Sequence, residues 1–240
     1  IDYRGTAMHT NPPPSSGGAL VGAALEYLSE EESPTNDIEH YCRAAAAGVH
    51  ANAIRERQGR ETRKPTGSTT HVSAIDAEGN IASLSSSNGT GCGEVVPGTG
   101  VLLNNILGEE DLNPGGFGLV PAGKRMTSMM APSILLSKQR AIALGSAGSN
   151  RLRSAILQTV MSVVDSRLPL WDAVSRPRVH PEGDGVDVEG GVPEAAADAL
   201  KADGHRLRRW SATNLFFGGV GAVAEEAGEF SAAGDPRRGG

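Results

Sequence analysis

Cysteines and aromatic side chains are scarce in this sequence of 240 residues. Aromatic residues make up 4% of the chain and 32 residues are glycine, a balance that favours turns and close backbone approaches over bulky packing. The two cysteines, Cys42 and Cys92, could pair, but they form neither a disulfide framework nor the Cys-x-x-Cys spacing of a zinc site. The six histidines form no metal-ligand pattern either, so we expect no metal and no cofactor.

Long apolar runs and clusters of positive charge are also missing. The formal net charge is −6 and no long basic run occurs, which argues against a nucleic-acid partner because phosphate binding needs clustered cations. No apolar run reaches the roughly 18 residues of a membrane span, and no signal peptide is visible, so we expect no membrane partner. The chain begins with Ile1 rather than Met, so an upstream part is expected to be missing. The sequence therefore does not assign a cellular compartment, although the cytoplasm is slightly favoured.

The first 68 residues have the pattern of two helices followed by a polar segment. Apolar residues at helical spacing from Leu20 to Leu28 predict one helix with Ser16 as its cap, and the alanine-rich stretch 37–57 predicts a second. Residues 58–68 are polar and charged without periodicity, which predicts a flexible, exposed linker.

The pattern changes abruptly at Thr69 to that of a mixed α and β segment. Residues 70–75 and 81–85, separated by a polar turn, predict a hairpin. Residues 141–144 predict another strand, which leads into a glycine-rich loop at 145–150. The remaining predicted elements are a helix from about 151 to 166, a short helix at 171–175, and a tail of short strands and turns.

The junction between Ser68 and Thr69 is a candidate for autoproteolysis. If the Thr69 hydroxyl attacked the Ser68 carbonyl, hydrolysis of the resulting ester would leave Thr69 as a new N-terminus with both a hydroxyl and an α-amine. An α-amine has an ordinary pKa of about 7.7–8.0 and can act as a general base near neutral pH. A Gly-Ser-Thr-Thr run before a strand is also typical of an ordinary loop, so the residues alone leave both interpretations open.

Seven short motifs, in order along almost the whole chain, resemble the gamma-glutamyltransferase family. They are PPPSSGG at 12–18, TTHVS at 69–73, DAEGN at 76–80, PGTGVLLNN at 97–105, GKR at 123–125, RPRVH at 176–180 and DPRR at 235–238. The resemblance implies an α+β fold, the αββα sandwich of N-terminal-nucleophile (Ntn) hydrolases, with 1–68 as the end of a large subunit and 69–240 as the catalytic small subunit. It also implies a heterodimer after cleavage. The fold is expected to be partial, because the N-terminal portion of the family, which supplies an arginine for the substrate carboxylate, is absent from this sequence.

The same resemblance assigns roles to individual residues. It implies that Thr69 is the nucleophile, that the backbone N–H groups of Gly148 and Ser149 form the oxyanion hole, and that a hydroxyl near Ser86 supports the nucleophile. The positions that hold a glutamyl substrate in the family fall on Asn88, Ile106, Glu109, Ser128 and Met129.

Three of these substrate positions depart from the family pattern. Ile106 cannot accept a hydrogen bond from an ammonium group, and Met129 places a thioether where the family has a serine hydroxyl. Glu109 keeps a negative charge but is one methylene longer than the aspartate of the family. Either the pocket has become more apolar and its amino-acid-like substrate is not a free γ-glutamyl group, or the changes are ordinary drift in a tolerant loop.

The leading prediction is an enzyme that forms an acyl-enzyme through Thr69 and passes the acyl group to water or an amine. An alternative is hydrolytic C–C bond cleavage of a cyclic amino acid, which is associated with homologues in the pathways to the 4-alkylproline units of lincomycin-type antibiotics. A secondary ring amine and an apolar ring would suit Ile106 and Met129. An alternative from another class is an inactive, truncated family member that acts as a binding module.

Overall fold

The computed structural model of the chain describes residues 1–57, 68–109, 112–113 and 116–240. Apart from Ser68, the linker predicted at 58–68 lies outside these residues. No helix within the described ranges is both long and apolar enough to cross a bilayer. Cys42 and Cys92 are both free thiols.

Five α-helices occur in the described residues, and four of them confirm the helices predicted from the sequence. They are α1 (Gly17–Ser29), α2 (Asp37–Arg57), α3 (Arg151–Val164), α4 (Leu170–Ser175) and α5 (Glu194–Ala202). The expectation of only short strands and turns in the tail was wrong at α5. Alanine is the strongest helix former, and Pro193 with its fixed φ suits the position just before the first turn.

Eleven strands in the described residues form three sheets. They are β1 (Asp2–Tyr3), β2 (Thr6–Thr10), β3 (Ser68–Ile75), β4 (Ile81–Gly89), β5 (Ser133–Leu136), β6 (Arg140–Ala147), β7 (Val179–Glu182), β8 (Gly185–Val188), β9 (Arg206–Arg209), β10 (Gly219–Glu226) and β11 (Glu229–Gly234). An antiparallel six-stranded sheet has the order β1-β2-β5-β6-β10-β11, while β3 pairs with β4 alone and β7-β8-β9 form a small separate sheet. The predicted hairpin is therefore confirmed, and it is longer than expected.

The hairpin of β3 and β4 packs on one face of the six-stranded sheet, against β6 and β10. The helices α3 and α4 pack on the other face, and α1 and α2 pack against α3. Leu144 and Ala222 point away from the hairpin, as strand alternation requires, and are buried in the main core together with Ile156 of α3. The described residues thus form two β layers and one helical layer of the expected αββα sandwich.

The loop predicted at 145–150 is wrong in its first part, because β6 continues to Ala147. Gly145 is a strand residue that pairs with Gly221 of β10. A Cβ atom at Gly145 would overlap the imidazole ring of His71 from the hairpin. The glycine that suggests a loop in the sequence is thus explained by the close approach of another strand.

Candidate active site

Thr69 lies at the start of β3, where the hairpin has an irregularity. Ser68 pairs with Gly89 and Thr69 pairs with Ser87, so Asn88 is an extra residue on β4. Such β-bulges re-aim side chains and are frequent beside active sites. The Thr69 hydroxyl donates a hydrogen bond to the Ser87 hydroxyl across the hairpin, with an Oγ1–Oγ distance of 3.2 Å.

Ser87, and not Ser86, is the hydroxyl beside Thr69. Ser86 pairs with Thr70, and both side chains are on the exposed face of the hairpin. The assignment from the sequence was off by one residue because it aligned motifs without counting strand pairs. Counting back from the Ile75–Ile81 pair next to the turn would have identified Ser87.

Replacing Ser87 with alanine should slow Thr69 chemistry, whereas Ser86→Ala should not. The change removes the bond from the Thr69 hydroxyl and the bond that the Ser87 hydroxyl accepts from the Gly89 backbone N–H at 3.1 Å. The bond with Thr69 is worth about 0.5–1.5 kcal/mol, which corresponds to a loss of roughly two- to tenfold in turnover. Turnover of the full-length protein by both variants, measured side by side, checks this. Equal activity of the two variants would contradict the assignment.

Gly148 and Ser149 form a tight turn between the end of β6 and the start of α3. Both have positive φ, 125° at Gly148 and 52° at Ser149. A Cβ atom at Gly148 would lie 2.8 Å from the Cα atom of Gly218. Consecutive backbone N–H groups in turns of this kind can form an anion-binding concavity, which is the geometry that an oxyanion hole needs.

A pocket beside Thr69 contains most of the residues that the sequence assigned to the site. Six of them line it: Thr69, Ile106, Glu109, Ser128, Met129 and Ser149. Asn88 and Ser86 are exposed and do not line the pocket. Gly148 does not line it either, although its neighbour Ser149 does. Sequence reasoning missed five further lining residues, which are Ser87, Gly89, Leu112, Met130 and Leu152. Larger clefts of about 900 and 690 Å³ lie elsewhere and include none of the assigned residues.

Glu109 is engaged within the protein. Its Oε1 atom accepts hydrogen bonds from the backbone N–H of Thr90 at 2.8 Å and from the Thr90 hydroxyl at 3.3 Å. Asn105 joins the same group, because its amide nitrogen donates to the Thr90 hydroxyl at 2.5 Å. Gly89 makes this arrangement possible, since a Cβ there would overlap both Asn105 and Glu109. Glu109 therefore braces two loops against each other beside the pocket.

Met129 belongs to the hydrophobic core and is only 7% exposed. Its sulfur accepts a hydrogen bond from the Ser16 hydroxyl at 3.2 Å. Ser16 holds the N-cap position of α1, but its side chain makes no capping bond. Its hydroxyl contacts the carbonyl oxygen of Ser128 as well. Ser16 therefore occupies the predicted cap position, but the prediction that it caps the helix is wrong, because its hydroxyl binds the Ser128–Met129 loop instead.

His71 is half-buried between the hairpin and the sheet, and His40 is buried in the helical layer. Burial lowers the pKa of His71 to about 4. Burial, with a smaller effect of the Arg176 guanidinium, lowers the pKa of His40 to about 3. Both rings are therefore neutral at pH 7. Within the described ranges, no group of three or more His, Cys, Asp or Glu side chains is placed to hold a metal ion.

Acidification below about pH 6.5, the ordinary pKa of histidine, should destabilise the folded chain through these two residues. Their folded-state pKa values are lowered, so the unfolded chain takes up protons that the folded chain does not. Their contribution to stability is complete above about pH 6.5 and is lost as the pH falls towards about 4 for His71 and about 3 for His40. Urea unfolding of the wild type and of a His40→Gln, His71→Gln variant across this range measures the effect. Equal losses of stability in both proteins would contradict it.

Known proteins match this chain over most of its length. A family model for gamma-glutamyltranspeptidase matches residues 36–240. The acylase ACY 1 proenzyme of Pseudomonas sp. strain SE83 is 39% identical over 159 residues, which are 65% of this chain and 28% of the relative. The glutathione hydrolase proenzyme of Bacillus subtilis strain 168 is 27% identical over 100% of this chain and 51% of its own length.

Solved structures agree with these matches. The gamma-glutamyltranspeptidase of Pseudomonas nitroreducens complexed with L-DON has a TM-score of 0.58 and 32% identity, covering 70% of this chain and 95% of that chain. The cephalosporin acylase of Bacillus halodurans has a TM-score of 0.75 over 99% of this chain and 51% of that one; its 24% identity supports the fold alone.

The two packed β layers, with a threonine at the start of a strand beside a tight backbone turn, define the fold as that of an N-terminal-nucleophile hydrolase. The family match makes this specific: the chain belongs to the gamma-glutamyltranspeptidase family. It spans about half the length, or less, of the curated relatives described above.

Proposed function

We propose that this chain is the catalytic part of a self-processing threonine hydrolase or acyltransferase that acts on an amino-acid-like substrate. The observation that carries the proposal is the meeting of three elements at one pocket. Thr69 brings a hydroxyl that is hydrogen-bonded to Ser87, and Ser149 belongs to the tight backbone turn. Ile106 and Met129 bring the altered substrate-binding surface.

Self-processing would begin with attack of the Thr69 hydroxyl oxygen on the carbonyl carbon of Ser68. The peptide C–N bond breaks as an ester forms, and the Thr69 nitrogen takes up the proton. Water then hydrolyses the ester, which frees the Ser68 carboxylate and the Thr69 α-amine. In turnover, this amine accepts the hydroxyl proton as Thr69 attacks the substrate carbonyl, and the Gly148–Ser149 turn stabilises the oxyanion. Water or an amine finally takes the acyl group.

The upstream portion of the protein is the proposed partner in this site. The relatives are named proenzymes and extend well beyond the region that this chain matches. The outer face of the hairpin supports the proposal, because Val72 and Leu84 are 58% and 65% exposed there. A second layer that covers these apolar side chains would complete the sandwich and form a heterodimer after cleavage.

The substrate is proposed to differ from a free γ-glutamyl group. Apolar side chains dominate the wall of the pocket around Ile106, and the Oε1 atom of Glu109 is already engaged by Thr90. An apolar ring in contact with Ile106 would bury apolar surface. This favours a cyclic amino acid, and hydrolytic C–C cleavage of such a substrate is the second candidate reaction.

Replacing Ile106 with glutamine should raise kcat/KM for a γ-glutamyl anilide, because it restores an acceptor for the substrate ammonium. A hydrogen bond to a charged group is worth about 1.5–3 kcal/mol, so the gain should be roughly ten- to a hundredfold. Met129 is not a suitable second position, because shortening a core side chain would leave a cavity. Ile106→Leu is the matched apolar control. A wild type that already hydrolyses the anilide rapidly would refute the altered specificity.

The proposed function is tested with the full-length protein from the complete gene. Mass spectrometry and N-terminal sequencing should show two fragments, with the second beginning at Thr69. A folded precursor that stays intact would overturn the proposal and favour the inactive binding module.

A further inference from the structure

A half-buried histidine, His71, connects the strand of Thr69 to the six-stranded sheet. Thr69 and His71 share one face of β3, and the His71 ring rests on Gly145 of β6 and Gly221 of β10. These two glycines are direct cross-strand partners. A Cβ at Gly145 would overlap the ring, whereas a Cβ at Gly221 would lie 3.5 Å from its Cδ2 atom, an ordinary contact. The imidazole thus occupies the space that a side chain at Gly145 would fill.

Both strands of the hairpin hold the ring in place. The Nδ1 atom lies 2.9 Å from the Ser85 hydroxyl on β4, and the Nε2 atom lies 2.8 Å from the Ser73 hydroxyl on β3. A neutral imidazole has one donor and one acceptor nitrogen, and a hydroxyl can complement either. The ring therefore makes two hydrogen bonds within the hairpin while its face lies on the glycines of the sheet.

A neighbouring bond confirms how closely the two layers approach. The Ser83 hydroxyl on β4 donates to the backbone carbonyl of Leu144 on β6 at 3.0 Å. Stacked sheets usually lie about 10 Å apart, a distance set by the side chains between them. At Gly145, next to Leu144, the spacer between the layers is a single imidazole.

We propose that His71 is a positioning residue that sets the separation between the strand of Thr69 and the strand that ends at the Gly148–Ser149 turn. Thr69 is two residues from His71 and Gly148 is three from Gly145, so the contact lies within about 10 Å of both groups along their strands. The nucleophile and the oxyanion donors come from different layers, and a displacement of about 1 Å at a reacting centre can cost about a hundredfold in rate. This inference rests on the proposed role of Thr69.

The test uses the full-length precursor with alanine at each side of the contact. His71→Ala and Gly145→Ala should each slow self-cleavage and lower kcat by roughly ten- to a hundredfold, with KM within about twofold of wild type. In the His71→Ala background, Gly145→Ala should add little, because the new methyl group no longer meets a ring. His71→Gln keeps an amide for the two hydroxyls and should recover part of kcat.

Gly221→Ala is the matched control, because its methyl group would make only an ordinary contact with the ring; it should stay near wild type. Additive effects of His71→Ala and Gly145→Ala, or equal effects of Gly145→Ala and Gly221→Ala, would overturn the proposal. So would an unchanged kcat in a folded His71→Ala variant. If His71→Ala does not fold, the comparison of Gly145→Ala with Gly221→Ala still tests the proposal. A wild-type precursor that never cleaves would instead refute the role of Thr69.

Discussion

Replacing Thr69 with alanine is expected to leave the full-length precursor as one chain and to abolish turnover. The change removes the only atom in the proposed mechanism that attacks the Ser68 carbonyl and, later, the substrate. Loss of a hydrolase nucleophile costs about a millionfold in kcat, so the residual rate should fall below detection. Gel electrophoresis of the aged precursor and a turnover assay measure the two effects separately.

Thr70→Ala is the natural control for this experiment. Thr70 is the adjacent residue of the same type, but it lies on the opposite, exposed face of the hairpin, across from Ser86. The variant should cleave itself and turn over substrate at close to the wild-type rate. If Thr70→Ala blocked cleavage and Thr69→Ala did not, the nucleophile would be Thr70 and not Thr69.

Replacing Gly148 with alanine should have the second largest effect. The φ of 125° lies in the region that favours glycine, and the new Cβ would lie 2.8 Å from the Gly218 Cα atom. Backbone strain of this kind costs of order 1–3 kcal/mol, and displacing one oxyanion donor costs roughly a hundred- to a thousandfold in kcat. We expect both the melting temperature and kcat to fall, with the larger relative change in kcat. Both are measured on the processed full-length protein.

A control variant at Gly228, a glycine in an exposed turn, separates the effect of backbone strain from the effect on catalysis. Gly228 also has a positive φ, 86°, and a Cβ there would meet nothing within 4 Å. Gly228→Ala should lower the melting temperature moderately and leave kcat unchanged. A Gly148→Ala variant that behaved in the same way would show that the turn does not hold the oxyanion.

Local patterns in the sequence were sufficient for most secondary structure. The helices α1 and α3 follow from apolar spacing, and α2 follows from an alanine-rich stretch. The hairpin follows from two strand-like segments around a polar turn. These signals arise from residues close together in the chain. The change of pattern at Thr69 also identified the start of β3. The motif resemblance then predicted six of the residues that line the pocket.

The sequence by itself thus determined the family, the fold class and the position of the candidate nucleophile. Only the tertiary structure decided which side chains meet. Gly145 belongs to a strand because it pairs with Gly221, and it is a glycine because the His71 ring, more than seventy residues earlier in the chain, rests on it. Met129 is a core residue whose sulfur is held by Ser16. Contacts between residues so distant in the chain leave no local periodicity, so only the folded chain reveals them.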